Sequence, residues 1–339
     1  MADTTVRTPL VPWIEKYRPQ VMDDVIGNPD TVARLRVIAK QGNLPNLLLA
    51  GPPGTGKTTS MMCLARELLG EHYREAVLEL NASDDRGLDV VRQRIKLFAQ
   101  KKVTLPLKSQ HKIVILDEAD SMTGPAQQAL RRTMELHSST TRFAFACNNS
   151  NKIIEPIQSR CAVVRFSRLS NAEVLQRLKI VVNAENIDVT DDGLEALLYI
   201  AEGDMRAALN SLQATASGFG TVTADNVFKV CDQPHPVLVE DIYKHCLKSR
   251  DLNAAHAELK RLLARGYAPS DLISTFFKVA QNPNLFPDEE SQLSTLRIVG
   301  ETNLRIAEGC GTPLQLAAML GRIVVAVPAG GSREAPLVL

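Results

Sequence analysis

The chain is poor in several features that would mark out simple functional classes. It has 39 basic and 38 acidic residues, a net charge of +1, so no overall positive field identifies it as a nucleic-acid reader that works alone. Any contact with nucleic acid must come from a local patch, as in one member of a larger assembly. Aromatic residues are few, with one Trp, five Tyr and nine Phe in 339 positions, which argues against base stacking as a main binding mode. No run of eighteen apolar residues is present, so no bilayer span is expected. The six cysteines (Cys63, Cys147, Cys161, Cys231, Cys246, Cys310) form no C-x-x-C pair. They read as reduced thiols of an intracellular protein, not as a disulfide framework or zinc site. No histidine stands at metal-ligand spacing from a cysteine or acid. Residues 1–8 are polar and lack the apolar core of a secretory signal.

What remains is a globular composition, 45% hydrophobic and 23% charged, with length enough for two or three cores. In the first half, short β-like runs alternate with helical patterns. The runs are Asn46–Ala50, Ala76–Leu80, Lys112–Leu116, Thr141–Cys147 and Ala162–Phe166, with helices expected at Lys57–Leu69 and Leu88–Lys101. The third run is apolar and β-branched after its first residue, as a strand covered on both faces should be. Alternation of this kind predicts an α/β domain with a doubly wound parallel sheet of roughly five strands.

After Phe166 the pattern becomes helical. Ser170 and Glu173 make a capping box, Thr190 and Asp204 head two further helices, and Thr223 opens a short one ending near Cys231. Pro234-His235-Pro236 is a rigid break before more helix. The expected organisation is a flexible 1–10, an α/β nucleotide-binding domain at 11–167, a helical lid at 168–232, an all-α collar at 233–327 and a tail at 328–339.

Two motifs carry chemistry. Gly51-Pro52-Pro53-Gly54-Thr55-Gly56-Lys57-Thr58 fits G-x-x-x-x-G-K-[ST], follows a strand and opens a helix. Its glycines allow backbone N–H groups to turn in around phosphate oxygens, and the helix N-terminus adds positive potential. Lys57 is placed to reach the β- and γ-phosphates of ATP, and Thr58, followed by Thr59, to hold Mg2+. The second motif is Ile113-Val-Ile-Leu-Asp117-Glu118. An acid ending a buried strand beside a phosphate loop suits a Mg2+ ligand, here Asp117; Glu118 then suits the group that orients or deprotonates the attacking water.

On the helix from Leu88, the residues Leu88, Val91, Ile95, Phe98 and Ala99 form one apolar stripe, with Arg92 and Lys96 one turn apart along its edge. Residues 84–102 hold six basic and three acidic side chains, which a solvated helix face also explains.

The series Trp13-Ile-Glu-Lys-Tyr17-Arg18-Pro19, the Gly51–Thr58 loop, Leu80-Asn-Ala-Ser-Asp-Asp-Arg86-Gly87, Leu116–Asp120, Gln127–Glu135, Ser159-Arg160-Cys161 and Gly203-Asp-Met-Arg206 stands in one order. It resembles the small subunits of replication factor C, the eukaryotic sliding-clamp loader and an AAA+ ATPase, from about residue 11 to 325 and most densely before 235. The resemblance implies an ATP hydrolase in a nuclear hetero-pentamer, with the proliferating cell nuclear antigen clamp and primer–template DNA as partners. Pro12, Tyr17, Arg18, Val25 and Ile26 would wrap the base and ribose, and Asn148 or its neighbour Asn149 would be the polar sensor of the γ-phosphate. Arg206 lies in a first helical turn, where the macrodipole disfavours a cation unless an anion faces it. The resemblance makes it a second nucleotide sensor. Arg160 would act in trans as an arginine finger on the neighbouring subunit's nucleotide. Arg86, Arg92, Lys96 and Lys152 would track duplex phosphates, and Met122 and Thr123 would face the clamp. Two other readings stand beside this one: a scaffold subunit that holds ATP without needing to turn it over, and a self-assembling helicase or branch-migration motor.

Overall fold

The computed structural model describes residues 11–326 apart from 43, 83–87, 102, 104–110 and 232, and gives no side-chain description for 88–92. The chain divides into two compact units, the first up to Ala224 and the second from Asp225. The helices expected as a lid therefore fall in the first unit up to residue 224, and the short helix after Thr223 goes with the second.

The first unit begins with a one-turn helix, α1 (Trp13–Lys16), and α2 (Pro29–Gln41). Then come β1 (Leu47–Ala50), α3 (Lys57–Leu69), the single turn α4 (Tyr73–Ala76), β2 (Val77–Asn81) and α5 (Leu88–Gln100). After these follow β3 (Lys112–Asp117), α6 (Gly124–Leu136), β4 (Thr141–Cys147), α7 (Glu155–Gln158) and β5 (Ala162–Arg165). The five strands form one parallel sheet in the order β2-β3-β4-β1-β5. Register places Asn81 beside Asp117 and Ala50 beside Cys147, so the carboxyl ends of β1, β3 and β4 share one edge. In parallel sheets covered by helices on both faces, ligands bind at that edge.

Strand alternation explains the uninterrupted apolar runs. Leu47 and Leu49 of β1 join Ile113, Ile115 and Ala144 against Leu35 and Leu64 on one face. Leu48 and Ala50 join Val114, Leu116, Phe143 and Phe145 against Ile95, Leu130 and Met134 on the other. The three central strands, β3, β4 and β1, thus bury both of their faces, while the edge strands β2 and β5 are partly exposed. Of the stripe expected on α5, Ile95 and Ala99 are buried and Phe98 packs on the second cluster.

The remaining helices of this unit are α8 (Asn171–Glu185), α9 (Asp191–Ala201) and α10 (Met205–Phe219). The caps expected at the starts of these three helices form. Ser170 and Glu173 bond reciprocally, Thr190 Oγ1 accepts from the Gly193 N–H at 3.2 Å, and Asp204 Oδ1 accepts from the Arg206 and Ala207 N–H groups at 2.8 and 3.1 Å.

The second unit is all helical: α11 (Ala224–Val230), α12 (Pro236–Lys244), α13 (Leu252–Ala264), α14 (Pro269–Ala280), α15 (Glu289–Ala307) and α16 (Pro313–Ala326). Its core takes Leu272, Ile273 and Phe276 from α14 and Leu316, Met319, Leu320 and Ile323 from α16, the helical spacing of an amphipathic face. The buried Tyr243 hydroxyl donates to the Phe276 carbonyl at 3.0 Å, which satisfies the one polar atom that ring carries inside.

One buried charge was not foreseen. Lys112, the first residue of β3, is only 4% exposed. Its ammonium donates to the carbonyls of Phe98, Ala99 and Lys101 at 2.8, 2.6 and 2.7 Å, so it closes the C-terminal end of α5, where unpaired carbonyls collect. Burial holds its pKa below the ordinary lysine value. Replacing it by methionine keeps the length but strands these acceptors. We expect Lys112→Met to lower the stability of the full chain by about 2 kcal/mol in urea unfolding; an unchanged midpoint would show that the three bonds contribute nothing net.

Candidate active site

The phosphate loop leaves β1 at Gly51, turns through two left-handed glycines, Gly54 at φ +66° and Gly56 at φ +89°, and enters α3 at Lys57. A side chain at Gly54 would strike the Asp204 carboxylate, since an added Cβ would lie 1.7 Å from Asp204 Oδ1. The loop is also tied to α10 through its backbone, because Met205 N–H donates to the Gly54 carbonyl at 3.2 Å. The cap of α10 and the loop therefore touch directly.

Lys57 is 7% exposed. Its ammonium donates to the Gly51 and Pro52 carbonyls at 2.8 and 2.7 Å and to Asn148 Oδ1 at 3.1 Å. Burial lowers its pKa, while Asp117 works the other way. Thr58 Oγ1 donates to Asp117 Oδ2 at 3.0 Å, which brings a hydroxyl and a carboxylate oxygen to one point. Asp117 Oδ1 accepts from the Glu118 N–H at 2.9 Å. Glu118 itself has φ +52°, a left-handed conformation that a residue with a Cβ adopts at a cost of about 1–3 kcal/mol. Its carbonyl accepts from both the backbone N–H and the hydroxyl of Ser121, which holds the turn. Glu118 stands just past a buried strand end and is exposed.

Asp120, a position without an expected role, joins two strand ends. Its carboxylate oxygens accept from the Asn148 and Asn149 N–H groups at 3.4 and 3.3 Å. The two asparagines then part: Asn148 faces Lys57, whereas Asn149 Oδ1 accepts from the Asn151 N–H at 2.9 Å and caps a short helical turn. This geometry favours Asn148 over Asn149 as the group near the phosphates.

A cleft of about 240 Å³ in the first unit is lined by Tyr17, Arg18, Val25, Ile26, Pro53–Thr59, Asp117, Glu118, Asn148 and Arg206. Three expected contacts do not line it. Pro12 instead heads α1, with its carbonyl accepting from the Glu15 and Lys16 N–H groups at 2.9 Å. Gly51 and Pro52 turn their carbonyls toward Lys57 from behind the loop. The cleft also includes residues outside the motifs: Asp24 from the N-terminal segment, and Leu169, Arg177 and Leu209 from the helices after β5 and their approach. Only the fold brings these in. No periodic or spacing signal separates Arg177 from any other polar residue of an amphipathic helix.

Arg160 lies apart from this cleft. Its guanidinium donates to Glu135 Oε1 and to the Pro156 carbonyl, both at 2.7 Å, and is 37% exposed. Glu135 also receives Arg131 at 3.1 Å, and these contacts hold its carboxyl below the usual range. Lys96 and Lys152 are exposed. Arg92 belongs to α5 by its backbone alone, and Arg86 lies outside the described residues. Met122 packs partly on the core beneath α6, and Thr123 is exposed at the start of that helix.

Chemically, the cleft combines a buried cation, a hydroxyl paired with a carboxylate, an exposed second carboxylate and a lid arginine. Among the described residues no cluster of three or more His, Cys, Asp or Glu could enclose a metal. Thr58 and Asp117 offer a partial, all-oxygen set, the kind Mg2+ takes when phosphates and water complete its shell. Asn148→Ala is expected to lower ATP turnover of a reconstituted complex by about tenfold or more, the loss typical of one well-placed polar group. Asn149→Ala should leave it within about twofold. Equal losses would contradict the division of roles between them.

Residues 47–169 match the ATPase family associated with various cellular activities (AAA), and residues 234–322 match the replication factor C C-terminal domain. The chain is 60% identical over 315 residues to replication factor C subunit 4 of Oryza sativa subsp. japonica, covering 93% of each. It is 58% identical to the probable replication factor C subunit 2 of Dictyostelium discoideum, over 93% of this chain and 92% of that one. Its fold is similar to that of the Thermotoga maritima RuvB Holliday junction branch migration motor, with a TM-score of 0.52, 18% identity, and coverage of 72% of this chain and 85% of that one. At that identity the likeness speaks for the fold alone. With coverage and identity this high over nearly the whole length, the chain belongs to the replication factor C small-subunit family of AAA ATPases.

Proposed function

We propose that this chain is an ATPase subunit of a DNA sliding-clamp loader. In this reading ATP binding drives opening of the clamp and its loading onto primer–template DNA, and hydrolysis releases the loaded clamp during replication and repair in the nucleus. One observation carries it: the phosphate loop, acid pair, Asn148 and Arg206 converge on one cleft, while Arg160 is exposed elsewhere. A chain whose candidate arginine finger lies away from its own cleft fits a protein whose site is completed by a neighbour.

The roles follow from the geometry. Lys57 now bonds two neutral carbonyls and an amide oxygen, all weaker partners than a phosphate anion, so bound triphosphate would draw the ammonium toward its β- and γ-oxygens. Thr58 and Asp117 would hold Mg2+, which would neutralise charge on the phosphates. Glu118, held by the strained turn, would orient the attacking water, with Asn148 positioned beside the γ-phosphate. Arg206 would bring the lid's charge to the nucleotide, and the Gly54–Asp204 contact would pass the loop's position to α10. Arg160 would leave or share its Glu135 partner to reach the adjoining subunit's site; a surface pair of this kind is screened by solvent and offers little resistance. Sequence-independent contact with DNA phosphates would use Lys96, Lys152 and Arg92, with Arg86 a few positions earlier in sequence, and Met122 and Thr123 would lie toward the clamp.

The test is a complex assembled with Glu118→Gln in this chain. ATP binding should persist while turnover at this site falls by about a hundredfold or more and clamp release slows. Unchanged loading and release would favour an ATP-holding scaffold, and a stable homohexamer of the chain alone would favour a self-assembling motor. For DNA, Lys96→Ala and Lys152→Ala should each reduce the slope of log affinity against log salt by about 0.9, equally for all sequences. An unaltered slope would remove both residues from the interface.

A further inference from the structure

The arm that carries Tyr17 and Arg18 is fastened to the lid by contacts that none of the motifs contains. Trp13 N–H donates to Gln213 Oε1 on α10 at 2.9 Å. Arg177 on α8 donates to the Tyr17 carbonyl. Two turns further along α8, its last residue, Glu185, accepts from the Tyr17 hydroxyl and from the Lys16 ammonium, each at 2.6 Å on the same oxygen. A carboxylate at the C-terminal end of a helix meets the negative pole of the macrodipole and the last unpaired carbonyls, an unfavourable place unless donors face it. Both donors come from the arm. Glu185 is half-buried with 20% of its side chain exposed, whereas the Lys16 side chain is 51% exposed. Lys16 and Tyr17 together hold the Glu185 carboxyl below its ordinary pKa, and burial with the Glu185 bond holds the Tyr17 phenol above its own.

We propose that Glu185 is the positioning residue of the base pocket: through the Tyr17 hydroxyl it holds the N-terminal arm on the lid, so that affinity for the base, not for the phosphates, depends on it. The inference rests on the reading above in which Tyr17, Arg18, Val25 and Ile26 surround the base. The phosphates would be gripped by the loop between β1 and α3, whereas the side-chain bonds of Glu185 run to Lys16 and Tyr17 of the arm. The arm and α8 converge on the other side of the cleft, with Tyr17, Arg18 and Arg177 among its lining. Loss of the latch should therefore separate two affinities that a general loss of structure would reduce together.

The experiment uses the full chain and compares calorimetric binding of Mg-ATP with that of magnesium inorganic tripolyphosphate, which has the phosphates and no base. Glu185→Ala is expected to weaken ATP by about tenfold, the scale of one hydrogen bond to a charged group, and to leave tripolyphosphate within about twofold. Glu185→Gln retains an acceptor for Tyr17 and gives up only the exposed ion pair, so it should stay within about threefold of wild type for ATP. Tyr17→Phe should match Glu185→Ala, and the double variant should be no worse than either alone, because both remove the same bond. Lys57→Ala should weaken both ligands. Unchanged ATP affinity in Glu185→Ala, or parallel loss of both ligands, overturns the proposal. Ile26→Ala separates the two readings: if it weakens ATP while Glu185→Ala and Tyr17→Phe do not, the base pocket stands and the latch falls. If Ile26→Ala has no effect, the base pocket itself is misplaced and the latch falls with it. The conservative Tyr17→Phe and Glu185→Gln variants preserve the test even if Glu185→Ala fails to fold.

Discussion

A parallel sheet covered on both faces can offer ligands only its strand ends, and in this chain that constraint decides where the phosphate loop, the acid pair and Asn148 lie. Leu47–Ala50 is buried at all four positions, and Ile113–Leu116 is buried throughout. Neither strand can present a side chain to solvent along its length. The chain becomes accessible only at or just past the carboxyl ends: at Gly51 after β1, at Asp117 and Glu118 where β3 finishes, and at Asn148 after β4. Because all strands run the same way, these three exits fall on one edge, and the phosphate loop occupies the gap between them. The site is a consequence of how the core is closed.

Electrostatics then organises that edge. Lys57 is the central charge, buried enough that its ammonium is disfavoured, yet satisfied by three acceptors. Asp117 is bound to Thr58 on one oxygen and to the Glu118 N–H on the other, so the carboxylate cannot swing onto Lys57 and quench it. Asp120 fixes the end of β4 by taking two backbone N–H groups. Charges of both signs thus sit close together without collapsing into direct pairs, which leaves them available to a polyanion and a divalent cation.

The lid and the arm close the other side. Asp204 serves two neighbours: it caps α10 and packs against Gly54, a contact that leaves no room for a Cβ. The arm is bound to α8 and α10 through Trp13, Lys16 and Tyr17. The cleft is therefore walled by the sheet edge on one side and by helices and a segment far apart in sequence on the other.

Much of this was legible in the order of residues. The phosphate loop announces itself because phosphate binding needs glycines where φ is positive and a helix start immediately after, and both are local demands. The three central strands were readable because burial on two faces leaves continuous apolar runs, the two edge strands from their place in the alternation with helices, and the caps because a helix start needs an acceptor at a set offset. What the linear order could not hold is anything made between distant segments. The choice of Asn148 over Asn149 came from which side chain faces Lys57, some ninety positions away. Lys112 looked like the polar edge of a strand until α5 ended beside it. The separation of Arg160 from its own chain's cleft and the attachment of the arm to Glu185 are equally matters of packing. The sequence by itself determined the chemistry of the loop and the acids, since these depend on neighbours along the chain. Only the tertiary structure decided which distant groups face that chemistry, because that depends on where each strand and helix comes to an end.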